Sequence, residues 1–159
     1  MDEWTLIIVR SGSIAALTAI AATLARPGYK GSIPMAVVTI LGIFAGTAGA
    51  SHGPGEILQG DISPSGIFIA AWPGMISMLG QQPAMTLIPN LLVSGILTII
   101  LGSVITIWVT TRIRSKNGTL VFISLSITML LVGGGLIPPL IGVAAGIIRM
   151  QIMQKDLRI

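Results

Sequence analysis

Apolar runs of membrane-span length alternate along this chain with short breaks rich in glycine, proline and charge. The first run, 5–25, is interrupted only by Arg10 and ends at Arg26-Pro27-Gly28-Tyr29-Lys30-Gly31. A second covers 33–50. The polar stretch 51–65 follows, carrying His52, Glu56 and Asp61, and then a shorter apolar piece at 66–80 that Trp72-Pro73-Gly74 interrupts. A long clean run at 89–111 stops at Arg112-Ile113-Arg114-Ser115-Lys116-Asn117-Gly118. The last apolar stretch, 119–148, contains Gly133-Gly134-Gly135 and Pro138-Pro139.

About 20 mostly apolar residues in a helix cross a hydrocarbon core of ~30 Å. As one straight helix the 30 residues of 119–148 would measure about 45 Å, too long for that core. Split at the triple glycine and the proline pair, they give two arms, 119–134 and 138–153, with Pro138 in a first turn where its missing N–H is no loss. The pattern therefore predicts an all-α integral membrane protein. Residues 1–159 form one compact domain, a bundle of five spans at 5–25, 33–50, 89–111, 119–134 and 138–153. The alternative is four spans, the last a single kinked helix. The piece at 66–80 is short for a crossing, so it is re-entrant or interfacial.

Composition closes off other classes. Hydrophobic residues make up 53% of the chain and charged residues 9%, with a mean hydropathy of +0.94. Soluble domains carry about 25% charged residues, so a water-facing surface is excluded. The net charge of +4 comes from short basic clusters between apolar runs, which suits membrane flanks and not a nucleic-acid face. The absence of cysteine removes disulfides, thiolate metal sites and cysteine nucleophiles, and leaves the redox compartment unreadable. The acidic start, Met1-Asp2-Glu3-Trp4, argues against a secretory signal peptide and for a permanent first span.

Loops 26–32 and 112–118 hold five of the nine basic residues, whereas 51–65 holds none and two of the five acids. Lys and Arg favour the cytoplasmic side. The expected topology in the cytoplasmic (inner) membrane places loops 26–32 and 112–118 inside, and the N-terminus and outer polar loop 51–65 outside. Trp4 and Trp72 would then lie at the outer interface, Tyr29 and Trp108 at the inner one.

Small residues are dense, as close helix packing in lipid requires. Ser11, Ala15 and Ala19 recur in the first span. Gly42 and Gly46 form a GxxxG extended by Gly49, and Gly142 and Gly146 form another. Ser94, Thr98, Gly102, Thr106 and Thr110 share one ridge, and Ser124 and Thr128 are i,i+4 neighbours. These faces serve packing within the chain, homo-oligomerisation or binding to other membrane subunits.

Candidate chemistry is sparse. Arg10, inside its span, is expensive unless it snorkels or is paired; it would pair with Glu56 or Asp61, or await an anionic substrate. In His52-Gly53-Pro54-Gly55-Glu56, Pro54 suits the first position of a short helix carrying Glu56 and Gln59. His52, Glu56 and Asp61 are read as polar loop and capping residues, as three ligands for zinc or a non-haem metal, or as proton-handling groups. Met75, Met78 and Met85 with His52 offer soft copper ligands, and Met150/Met153 repeats the spacing, although methionines more often fill gaps. The chain has no P-loop, GxGxxG, HExxH or GxSxG, and its single histidine precludes bis-histidine haem ligation within one chain. No acid falls inside the spans drawn above. The residues name no cofactor, and the balance leans away from an enzyme.

Three functions follow. The first is a non-enzymatic subunit or accessory protein acting through helix packing in the lipid bilayer. The second is a small channel or transporter whose outer vestibule, formed where the breaks at 72–74 and 133–139 meet, is lined by Arg10, His52, Glu56 and Asp61. The third is an outer-face metal-dependent activity at His52, Glu56 and Asp61.

Overall fold

The computed structural model describes residues 33–69 and 83–156. In chain order these form α1 (Ile33–Ala50), α2 (Gly53–Gln59), β1 (Phe68–Ile69), β2 (Ala84–Met85), α3 (Leu91–Thr111), α4 (Gly118–Val132) and α5 (Ile137–Asp156). The described chain is mostly helical. Among the described residues, three stretches are long and apolar enough to cross a membrane: Ile33–Gln59 with 27 residues, Leu91–Thr111 with 21 and Ile137–Lys155 with 19. The run 5–25 with Arg10, loop 26–32, and Trp72, Met75 and Met78 in 66–80 lie outside the described residues.

Glycines set how closely α1 and α3 approach. Gly42 faces Val109 and Gly46 faces the Gly102 carbonyl and Thr106, and further along the chain Gly53 of α2 faces the Gly95 carbonyl. Rising numbers on one side meet falling numbers on the other, so the helices are antiparallel. α4 and α5 form a second antiparallel pair: Thr119 Oγ1 bonds Met153 Sδ at 3.9 Å, and Gly142 lies against Ser126. α1 packs on both α3 and α5, enclosing Val38, Ile43, Ile105, Val109, Phe122 and Met129.

The polarity of the bundle is the reverse of a soluble protein's. Thr39, Ser94, Thr98 and Ser126 are buried, while Val93, Ile96, Ile100, Val104 and Ile107 form an exposed apolar ridge along α3. Buried hydroxyls can bond carbonyls one turn back, as Thr39 Oγ1 does to the Met35 oxygen at 2.9 Å and Ser126 Oγ to the Phe122 oxygen at 2.9 Å. Lipid tails solvate apolar ridges and leave close contact to small residues and hydroxyls.

The two ends of the bundle differ in charge. Arg112, Arg114 and Lys116 lie between α3 and α4, and Lys155 lies in the last turn of α5, on the end marked by the Thr119–Met153 contact. Trp108 sits there too, its Nε1 donating to the Gly118 carbonyl at 2.9 Å. His52, Glu56 and Asp61 belong to the opposite end.

Two parts of the expected map change. The short helix expected around Pro54 is present as α2, which runs from Gly53 to Gln59 with Pro54 in its first turn. This brings Glu56 into the span-length stretch Ile33–Gln59, where the sequence reading placed no acid. The first residues of 66–80 are extended: Phe68 pairs with Met85 and Ile69 with Ala84 in an antiparallel ladder. Midway along 119–148 the chain does break, between Val132 and Ile137. Gly133 and Gly135 take φ of +123° and +75°, a region that costs glycine little, and α4 and α5 are separate helices rather than one kinked helix.

Asn90 starts α3 by accepting from the Val93 N–H at 3.0 Å, while its Nδ2 donates to Asp61 Oδ1. Asn90→Ala removes both bonds. The expected loss, read from chemical or thermal unfolding in detergent, is about 1 kcal/mol, the worth of an N-cap.

Candidate functional site

At 15 residues, α4 is about 22 Å long, shorter than a hydrocarbon core. Its end therefore meets α3 along the side, at Ser94 and Thr98. The last carbonyls of a helix have no partner within the helix, and where that end is buried the protein itself must supply them. The protein supplies partners for three. Met129 accepts from the backbone N–H groups of Gly133 and Gly134. Leu131 accepts from Leu87 N at 2.8 Å. Val132 accepts from the hydroxyls of Ser94, Thr98 at 3.2 Å and Thr86 at 3.4 Å. Thr86 Oγ1 and Ser94 Oγ also stand 2.9 Å apart. On the α5 side, Pro138 and Pro139, both buried, remove two N–H groups that would otherwise need acceptors.

His52 and Glu56 settle on this corner. A Cβ on Gly133 would stand 2.6 Å from Glu56 Oε2, and one on Gly135 would stand 2.5 Å from His52 Nε2. The two glycines thus provide both the turn and the room for these side chains. What aims Glu56 inward is the backbone contact of α2 with α3: Gly53 and Gly95 each lie against the other's carbonyl, where a Cβ would be at 2.5 Å. Glu56, three residues on, shares that face.

Glu56 is 3% exposed. Neither carboxylate oxygen has a hydrogen-bond partner. The Ser94 hydroxyl lies beside it and also reaches the Val132 carbonyl. Buried polar side chains are normally bonded, so an orphan carboxylate calls for an explanation. The negative end of the α4 dipole terminates at the same corner. Carboxylate and dipole attract positive charge together, and the corner can exchange a proton or receive a cation.

The other expected site residues are elsewhere. Asp61 is exposed and bonded to Asn90. Among the described residues no three His, Asp or Glu side chains gather where one metal ion would reach them, so His52, Glu56 and Asp61 do not form the three-ligand set. Met85 is half-buried in β2. Gly42, Gly46, Gly142 and Gly146 all face residues of this chain, and Gly49 and Gly134 lie against the Met129 side chain. The roles of Thr86, Ser94 and Thr98 on the Val132 carbonyl were not legible. Ser94 and Thr98 were visible only as a small-residue ridge.

Gly133→Ala forces φ of +123° on a residue with a Cβ and drives that Cβ into Glu56. The expected cost is about 2 kcal/mol or more. Adding Glu56→Ala recovers the steric part and leaves the backbone part, so the two changes are non-additive in a double-mutant cycle.

Compared with known protein families, with curated proteins and with solved structures, the chain has no significant match in any of the three.

Proposed function

We propose that this chain is a small integral membrane protein that passes a positively charged ion through a site built on Glu56 and His52. The single observation that carries the reading is the Glu56 carboxylate, buried and without a bonding partner, against a corner of broken helix. Ionisable groups at membrane depth are costly and are kept where a pathway needs them. Helices that stop within a bundle turn their carbonyl ends toward such ions. The fold reading that goes with it keeps five crossings in the inner membrane, loop 112–118 cytoplasmic and the His52–Asp61 end outside, with Arg10 in the first span. Purified protein in liposomes should give an ion flux that Glu56→Gln reduces at least about tenfold, the loss of roughly 1.4 kcal/mol of coupling. Equal flux in both proteins would end the proposal.

A second reading has one observation in its favour. The apolar ridge Val93, Ile96, Ile100, Val104 and Ile107 on α3 is exposed, and it suits a subunit that packs against other membrane helices, whether further copies of itself or another protein. The GxxxG glycines do not add to this, since the chain's own helices occupy them. Recovery of a stoichiometric partner from native membranes supports the subunit role. Recovery of this chain alone in every detergent counts against it.

A further inference from the structure

We infer that the ion is a dehydrated monovalent alkali cation of sodium size, held by the Glu56 carboxylate with the Val132 carbonyl and the hydroxyls of Ser94, Thr98 and Thr86. This rests on the ion-passing reading above and names its ion.

Donors and acceptors at the corner are mismatched. Three hydroxyls converge on the Val132 carbonyl, which has two lone pairs, while two carboxylate oxygens beside them receive none. Ser94 joins the halves: its Oγ lies beside Glu56, donates to Val132 and stands 2.9 Å from Thr86 Oγ1. Every member is buried, Ser94 and Thr98 to 0% exposure and Thr86 to 2%. Turning the hydroxyl protons away from the centre exposes oxygen lone pairs from α2, α3, the end of α4 and the segment before α3. A proton needs one donor and one acceptor. Oxygens converging from four elements are the surroundings that replace an ion's hydration shell.

Charge and space fix the class. Among the described residues the site has one carboxylate, because Asp61 is at the surface on Asn90, and His52 on Gly135 is the other titratable side chain of the corner. One negative charge balances one positive charge. Divalent ions favour several carboxylates or retained water. A larger organic cation has no room, since Glu56 and His52 already fill the space over Gly133 and Gly135. The basic loop 112–118 belongs to the other end of the bundle.

The test is thermal unfolding of the purified full-length protein in detergent, in NaCl, KCl or choline chloride at equal ionic strength. The expected result is a saturable rise in midpoint with NaCl, a smaller rise with KCl and none with choline. Thr98→Ala should weaken the sodium response about tenfold, and Glu56→Gln should abolish it. Identical wild-type midpoints in NaCl and choline chloride overturn the assignment without reference to any variant, as does a sodium response that survives Glu56→Gln. A Glu56-dependent proton flux in sodium-free liposomes, with no sodium response, overturns the sodium assignment and leaves the ion-passing reading standing. Flux independent of Glu56 removes that reading itself.

Discussion

Gly102→Val will separate α1 from α3 and leave little folded protein. A Cβ at Gly102 would stand 2.6 Å from the Ala50 Cβ and 2.9 Å from the Ala50 N, and would press on the Gly46 carbonyl. Two of these are backbone atoms, which no rotamer change can move aside. Overpacking a well-packed core typically costs 1–3 kcal/mol, and an obstruction made of backbone should cost about 3 kcal/mol or more. The same interface carries α2, so the variant also lets Glu56 swing away from Gly133. Gly55→Ala is the matched control. Nothing lies within 4 Å of its added Cβ, and alanine gains up to about 1 kcal/mol over glycine inside a helix. Unfolding in mixed detergent should place the two glycine variants on opposite sides of wild type. Equal stability of Gly102→Val and wild type would mean that α1 and α3 do not meet at these glycines.

Glu56→Leu should do the opposite of most core substitutions and stabilise the fold. Burying a polar group without a bonding partner costs roughly 1–3 kcal/mol, and leucine fills a similar volume without that cost. Measured in choline chloride, the variant is expected to be more stable than wild type by about 1–2 kcal/mol. Its ion flux should be lost. Gain of stability with loss of activity is the signature of a group retained for what it does. A loss of several kcal/mol would instead mean that Glu56 is compensated within the fold and acts as a structural tie.

How far this was legible before the structure differs from residue to residue. Apolar runs long enough for helices are visible in any hydropathy pattern, and the stretches now seen as α1, α3, α4 and α5 follow from them. The break at Gly133-Gly134-Gly135 with Pro138-Pro139 was legible because both residue types have fixed backbone preferences. Glu56 was misplaced for another reason. Pro54 marks the short helix, since proline is welcome in a first turn, but nothing in Gly53 shows that Gly95 lies against it and turns that helix onto α3. The sequence displays the glycine but not the neighbour that requires it. The Val132 carbonyl is less legible still, since every residue has a carbonyl and only tertiary structure decides which one three hydroxyls must serve. Strands of two residues, such as β1 and β2, leave no periodicity to detect. Asp61 was grouped with His52 and Glu56 by proximity in sequence, whereas α2 turns Glu56 inward and leaves Asp61 at the surface with Asn90.

In the proposed topology Glu56 sits at one face of a membrane-crossing bundle and the basic loop 112–118 lies at the other. The chain has no cysteine, so single-cysteine variants report cleanly. Ser63 and Ser115 are exposed at opposite ends, and serine to cysteine is a small change. With a membrane-impermeant maleimide on sealed cells, the Ser63→Cys variant should label directly and the Ser115→Cys variant only after permeabilisation. Labelling of both from the same side would contradict the account.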